Sequence, residues 1–249
     1  MTRRDIRALQ SAEYSFPYHH LPHRELAGLR VGRVFRGGAE YLVYTEIAAD
    51  GITADGASTV LDVGCGDGRL LGEIAARRAG LSLTGVDLDE RAIQLARAFV
   101  PGATFEVRKV ENLATVYDAV ACVETIEHIP DADELDFVAN VGSRVSEGGR
   151  LVITVPSTAR PVAEKHHRHY DVASVRSLVA DALPGFDVIE LREIIPHRPW
   201  LDRLLKVLSN RHYSVDVGRL NEAIARLHRA PVGPEQRGLH VLAVLRRPS

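Results

Sequence analysis

The stretch Val60–Gly68, VLDVGCGDG, limits the possible folds more than any other part of the chain. An apolar run leads into it, and three glycines at alternate positions lead out: Gly64, Gly66 and Gly68. Behind them Leu70, Leu71, Ile74 and Ala75 fall on one face of a helix. The pattern predicts a buried strand over Thr59–Val63, a tight glycine turn, and a helix over Arg69–Arg78. Glycine suits such a turn because it adopts conformations closed to other residues and lets a ligand approach the backbone.

The same alternation continues down the chain. Leu81–Val86 reads as a second strand ending at Asp87, and Asp89 caps a helix carrying Ile93, Ala96 and Val100 that stops at Pro101-Gly102. Ala103–Val107 and Ala119–Val123 read as further strands. Asp131 with Glu134 has capping-box spacing before a helix with Leu135, Val138 and Val145, expected to end near Gly148-Gly149. Leu151–Val155 is a strand stopped by Pro156, and Asp171 opens a helix with Val175, Leu178 and Val179. Phe186–Ile195 and Leu239–Leu245 complete the strands. Strands alternating with helices specify an α/β fold with a mostly parallel sheet and right-handed crossovers.

Residues 1–56 and 196–236 stand outside this rhythm. The first segment reads as an N-terminal arm or lid, with a helix around Phe35–Ile47 and a cluster of Tyr14, Phe16, Tyr18, His19, His20 and His23. The second reads as a helical lid inserted into a main domain over 57–249, with apolar stripes at Leu201, Leu204, Leu205, Leu208 and at Leu220, Ala223, Ile224, Leu227. A chain of 249 residues, 45% apolar and 26% charged, can bury a core without disulfide or metal staples. Its net charge of −2 argues against a dedicated nucleic-acid-binding surface. Cys65 and Cys122 cannot build a disulfide framework, which points to a reducing, cytoplasmic setting. The opening MTRRDIRALQ has no apolar run of a signal peptide, and no stretch is long and apolar enough to predict a membrane span.

Asp87 lies 23 residues after Gly64, at the end of the next strand, where a carboxylate can accept both hydroxyls of a ribose. The glycine spacing is GxGxG rather than the GxGxxG of dinucleotide sites. Asp62, two positions before Gly64, would repel a pyrophosphate but suits a cation or an amino group. The phosphate-cradling GxxxxGK[ST] pattern is absent from the sequence.

These residues resemble the class I S-adenosylmethionine-dependent methyltransferases. VLDVGCGDG is similar to that family's first motif and LTGVDLD, Leu83–Asp89, to its second. YDAVACVETIEHI at Tyr117–Ile129 and GGRLVITVP at Gly148–Pro156 resemble the segments around its fourth and fifth strands. The resemblance implies a Rossmann-like, seven-stranded, mostly parallel sheet with helices on both faces and the last strand antiparallel. It implies S-adenosyl-L-methionine as cofactor, with Gly64, Cys65 and Gly66 beside the methionine part and Asp62 near its amino group. Asp87 would hold the ribose, with Leu88 beside it and Glu124 lining the cavity. Lys109 stands where many relatives carry an acid for the adenine amine, so Glu111 or Asn112 would substitute.

A sulfonium methyl is already activated, so the protein's task is to align a nucleophile and exclude water. An oxygen nucleophile needs a base, and histidine suits that role near pH 7. Glu124-x-x-Glu127-His128 follows the fourth of these strands, and KHHRHYD places His166, His167 and His169 after the fifth. Two readings follow. In one, resembling ubiquinone-biosynthesis-type enzymes, the chain O-methylates a small hydroxylated metabolite, a sugar or secondary-metabolite intermediate, with His128 as base ahead of His169 and His167. In the other, resembling small-RNA 3′-terminal 2′-O-methyltransferases, Glu124, Glu127, His128 and a later histidine such as His167 hold a divalent metal. The metal-free reading is preferred, and nucleic acid is the less favoured partner. A third reading is a non-catalytic module that binds the cofactor.

The SFPYHHLPH cluster, Ser15–His23, is expected to fold over the cofactor as a lid. Segment 196–230 carries Arg198, Arg203, Lys206, Arg211, Arg219, Arg226 and Arg229 against Asp202, Asp216 and Glu222, which favours an anionic small-molecule substrate. Its leucine stripes suit core or homodimer contacts rather than a membrane face.

Overall fold

A computed structural model describes residues 6–14, 23–25, 28–30, 38–54, 56–208 and 218–249. Five apolar runs form a parallel set: β3 (Thr59–Val63), β4 (Ser82–Asp87), β5 (Thr104–Val107), β6 (Tyr117–Val123) and β7 (Val145–Pro156). They join β8 (Asp187–Pro196) and β9 (Gly238–Arg246) in a seven-stranded sheet of order β5-β4-β3-β6-β7-β9-β8. The last strand, β9, lies between β7 and β8 and is antiparallel to both. This is the Rossmann-like arrangement the motifs imply. A short antiparallel pair, β1 (His23–Glu25) and β2 (Gly28–Arg30), stands apart from it.

Side chains alternate across the sheet, and the core divides accordingly. Leu61, Val63, Val120, Cys122, Leu151 and Ile153 face α5 (Glu134–Gly142) and α6 (Val172–Ala182), meeting Val138, Val141, Val175 and Leu178. Val60, Ala119, Ala121, Val152 and Val244 meet the opposite layer. That layer comprises α2 (Gly38–Thr53), α3 (Arg69–Arg77) and α4 (Glu90–Phe99), through Val43, Ala49, Ile52, Leu71, Ile74 and Ile93. Beyond it α7 (Pro199–Leu208) and α8 (Gly218–Arg229) share Leu201, Leu205 and Ile224 as a small cluster of their own. The first helix, α1, covers Ile6–Glu13.

Several boundaries differ from the sequence reading. The helix expected around Phe35–Ile47 is α2, which runs on to Thr53 because Ala48, Ala49 and Ile52 are buried against the sheet. The Asp131/Glu134 capping box does not form. Residues 131–133 make a 3₁₀ turn, α5 begins at Glu134, and both carboxylates bind Arg168 instead. That helix stops at Gly142, where an added Cβ would lie 2.1 Å from Leu183 Cδ2. Val145 and Gly148-Gly149 therefore belong to β7. The Asp171 cap forms as expected, with Ser174 completing a capping box.

The strand order reverses direction between β3 and β6. In open α/β sheets the carboxyl ends of strands at such a switch point form a ligand crevice. The glycine turn follows β3 and the Glu124–His128 segment follows β6, so both sit at that crevice.

Candidate functional site

The turn after β3 is built on positive φ angles at Gly64 (75°), Gly66 (54°) and Gly68 (80°). Gly64 and Cys65 donate their amides to Val86 O at 2.8 and 3.1 Å, tying the turn to β4. At Gly64 a side chain is excluded twice, by its φ and by space: a Cβ there would lie 2.4 Å from Thr125 Oγ1. Thr125, just past β6, in turn donates to Val63 O. The two loops of the crevice are thus in contact through one glycine and one threonine.

Two acids line the turn. Asp87 accepts from Gly66 N through Oδ2 and from Asp89 N through Oδ1, both at 2.9 Å. Burial nonetheless raises its pKa. Asp62 is sealed in at 3% exposure, and burial, reinforced by the Asp87 charge, pushes it up to about 8. Two neighbouring carboxylates held against their own ionisation form a site that a positive ligand would relieve. Cys65 is buried and its thiol is pushed up by burial, which makes it a wall rather than a nucleophile. Leu88 is exposed beside Asp87. Glu111 and Asn112 are exposed on a 3₁₀ turn after β5, and Glu111 pairs with Lys109 at 3.1 Å.

The N-terminal segment reaches this turn at one described point. Tyr14 is buried, and its hydroxyl lies 2.9 Å from where a Gly66 Cβ would sit. Of the rest of the aromatic and histidine cluster, Phe16, Tyr18, His19 and His20 lie outside the described residues, as do Arg211 and Asp216, while His23 opens β1.

On the β6 side Glu124 has φ of 50° and is followed by a 3₁₀ turn over Ile126–His128. His128 Nδ1 lies 3.0 Å from Lys165 O, and His169 Nδ1 lies 3.1 Å from Arg160 O. A carbonyl only accepts, so both nitrogens carry the proton. His169 Nε2 is then the acceptor for His166 Nδ1, 2.8 Å away. The rings of His128 and His166 lie 4.9 Å apart and nearly perpendicular. Glu127 is buried beside them, its Oε1 3.9 Å from His128 Nε2. Burial and then the Glu124 charge push its pKa far up. His166 is pulled down to about 3, by burial first and then by the charge of His128.

Glu127, His128 and His166 each offer a ligand atom within 4.8 Å of one another, a set that can hold a divalent ion. The metal set suggested by the sequence changes accordingly. Exposed His167, which meets Glu127 O only through its backbone amide, gives way to His166, and Glu124 turns elsewhere. Both ring nitrogens of His169 are engaged, and His128 lies beside the His166 imidazole and the Glu127 carboxyl.

Glu124 belongs to a buried network that the sequence reading did not anticipate. His240, on β9, lies 3.0 Å from Glu124 Oε1 through Nδ1 and 2.8 Å from Glu40 Oε1 through Nε2. Thr154 Oγ1 donates to the same Glu124 oxygen at 3.0 Å. Glu40 also binds Arg160, which reaches Asp202 on α7 at 2.8 Å. The available signal was one histidine inside the otherwise apolar run Leu239–Leu245; a titratable group in such a strand needs a buried partner.

The model of a family described as a methyltransferase domain matches residues 44–182. Among curated proteins, a ubiquinone biosynthesis O-methyltransferase of Nitrosomonas europaea is 46% identical over 81 residues, 29% of this chain and 34% of that one. Another from Vibrio parahaemolyticus is 34% identical over 119 residues, 44% of this chain and 47% of that one. The matched stretches thus span between a third and a half of those relatives' lengths. Among solved structures, a magnesium protoporphyrin IX methyltransferase from Synechocystis aligns with TM-score 0.58 and 17% identity, over 99% of both chains. A Haloferax volcanii putative methyltransferase, solved with the Trm112 activator, aligns with TM-score 0.63 and 17% identity over the full length of both. These structural likenesses speak for the fold.

Proposed function

The chain belongs to the methyltransferase-domain family, and we propose that it transfers the methyl group of S-adenosyl-L-methionine to an oxygen of a small hydroxylated metabolite. The observation that carries this reading is the pair of acids at the glycine turn, sealed Asp62 and half-buried Asp87, with His128 on the β6 side of the same crevice. Their fit to the cofactor rests on charge: a positively charged ligand offsets the two carboxylates, which burial holds against ionisation. The cofactor supplies an activated methyl group. Asp87 would take the ribose hydroxyls, with exposed Leu88 beside it, and Glu111 or Asn112 on the turn after β5 would meet the base. His128, its Nδ1 fixed by Lys165 O, accepts the acceptor's proton at Nε2. Tyr14 closes the turn from the N-terminal side and keeps water out.

The relatives' names carry the choice of an oxygen acceptor, since two are called ubiquinone biosynthesis O-methyltransferases. The basic residues near α7 and α8 support an anionic one. Several are already paired, Arg226 with Glu222 and Arg229 with Glu46, whereas Arg203 and Lys206 are exposed. Among the described residues no helix is long and apolar enough to cross a membrane. The reading is tested by incubating the protein with labelled S-adenosylmethionine and a panel of catechols, phenols and sugars. Label should appear on an oxygen of one class, and His128→Ala should lower turnover by about a hundredfold or more while sparing cofactor affinity.

A second reading, a divalent-metal-dependent RNA 3′-terminal 2′-O-methyltransferase, is favoured by the Glu127, His128 and His166 group. Chelation separates the two. Turnover that survives EDTA supports the metal-free small-molecule enzyme, and turnover lost to EDTA and restored by Mn²⁺ or Mg²⁺ supports the other.

A further inference from the structure

The buried histidine of the closing strand has no place in the chemistry above. Yet it occupies a critical point in the network. His240 is 5% exposed and stands between two carboxylates brought together from α2 and from the end of β6. We propose that His240 is a positioning residue for the amino-acid half of the cofactor: clamped between Glu40 and Glu124, it holds the Glu124 carboxylate at the glycine turn, where that carboxylate receives the ligand's ammonium group. The inference rests on the cofactor reading given above and deepens it.

Geometry supports the assignment at three points. First, Glu124 is held at the crevice. Its amide donates to Thr154 O at 2.9 Å, its φ of 50° is a conformation that a side-chain-bearing residue keeps only under constraint, and Thr125 next to it touches Gly64. Second, both supports fall on one oxygen. Thr154 Oγ1 donates to Oε1, His240 Nδ1 lies 3.0 Å from the same oxygen as an ion-pair contact without hydrogen-bond alignment, and Oε2 has no hydrogen-bond partner among the described residues. The side chain keeps 17% exposure, so this oxygen is not sealed in. Third, the rival acid is enclosed: Asp62 is 3% exposed beneath the turn and lies beside Asp87. Glu124 is therefore the accessible carboxylate of the crevice with a fixed orientation and an unused oxygen, which suits a charge-assisted hydrogen bond to an ammonium group.

Charge points the same way. Glu40 is shared by His240 and Arg160, and Arg160 by Glu40 and Asp202. Each of the two cations lies between two carboxylates, so a chain of three acids and two bases carries one surplus negative charge. Its end at the crevice is Glu124. Among the described residues, Glu40 and His240 make no hydrogen bond or ion pair with the glycine turn, so their effect on a ligand there runs through Glu124.

The test compares two ligands that share the thioadenosine half. S-adenosylhomocysteine carries the amino-acid group, and 5′-methylthioadenosine lacks it. Calorimetry at pH 7.5 on the full chain would measure both with wild type, Glu124→Gln and His240→Gln. The expected result is a loss of about tenfold or more in S-adenosylhomocysteine affinity for each variant, with 5′-methylthioadenosine affinity unchanged within about twofold. Thr154→Val, which removes the other support on Oε1, should show the same selectivity to a smaller degree and serves if His240→Gln does not fold. Equal losses for both ligands would mean a structural role only, and no loss for S-adenosylhomocysteine would remove the link to the ammonium group; either overturns the proposal. Wild type that binds neither ligand would instead overturn the cofactor reading itself, and this inference with it.

Discussion

Raising the pH should destabilise this protein through one residue, His240, and the size of the effect can be worked from its surroundings. Burial alone would lower its pKa, but Glu124 and then Glu40 override that and carry it up to about 10 from the ordinary 6.5. Around it stand Glu40, Tyr44 and the Arg160 guanidinium paired to Glu40 on one side, with Glu124 and Thr154 on the other; the Glu127, His166 and His228 groups feel its charge. A folded-state pKa above the unfolded one means that the folded protein holds its proton longer. The stabilisation is complete below about pH 6.5 and is lost as pH climbs through the folded value near 10. Each pH unit in that window costs about 1.4 kcal/mol for one proton, so between pH 7 and pH 10 the loss is about 3 to 4 kcal/mol. For a chain of this length that is roughly 10 °C in Tm. Denaturant titrations of wild type and His240→Gln at half-unit pH steps would isolate the contribution, because the other alkaline groups are common to both. The difference between the two proteins should shrink by that amount from pH 7 to pH 10. A difference that stays constant would refute the imidazolium between two carboxylates.

Other outcomes follow from the same geometry. Gly64→Ala places a methyl 2.4 Å from Thr125 Oγ1 on a backbone with φ of 75°, and should cost about 3 kcal/mol in denaturant unfolding while weakening cofactor binding. Asp87→Ala should weaken S-adenosylhomocysteine by about tenfold or more in calorimetry, since the ribose loses an acceptor of two hydrogen bonds; unchanged affinity would contradict that placement. Cofactor affinity should rise with pH up to about 8, because Asp62 is uncharged below that value and a cationic ligand favours its ionised form. Asp62→Asn should flatten this rise, and a rise that persists in the variant would assign the titration to another group. Tyr14→Ala uncovers the glycine turn and should speed cofactor release with little change in Tm, as read by stopped-flow displacement.

The sheet was legible because its strands are short apolar runs bounded by glycine, proline and acidic caps. Thr59–Val63 has the observed limits, and Leu239–Leu245 falls one residue short at each end. The glycine turn and Asp87 were legible because local chemistry places them: Gly64, Gly66 and Gly68 all take positive φ, and Asp87 ends its strand. Features settled by long-range partners were not. Asp131 and Glu134 have capping-box spacing, yet Arg168, more than thirty residues away in sequence, competes for both carboxylates and wins. The choice of His166 over His167 depends on a relay from Arg160 O through His169, which no spacing rule contains. The pairing of Glu40 with His240 joins positions 200 residues apart, and only the antiparallel insertion of β9 beside β7 brings them together.

The central claim is that this glycine turn, with sealed Asp62 and half-buried Asp87, seats a nucleoside sulfonium rather than a pyrophosphate. Side-by-side calorimetry of the full chain with S-adenosylmethionine and with NAD tests it most directly. The account predicts a one-to-one isotherm for the sulfonium compound, weakened by Asp87→Ala, and no measurable heat for the dinucleotide. Saturable binding of NAD with none of S-adenosylmethionine would contradict it.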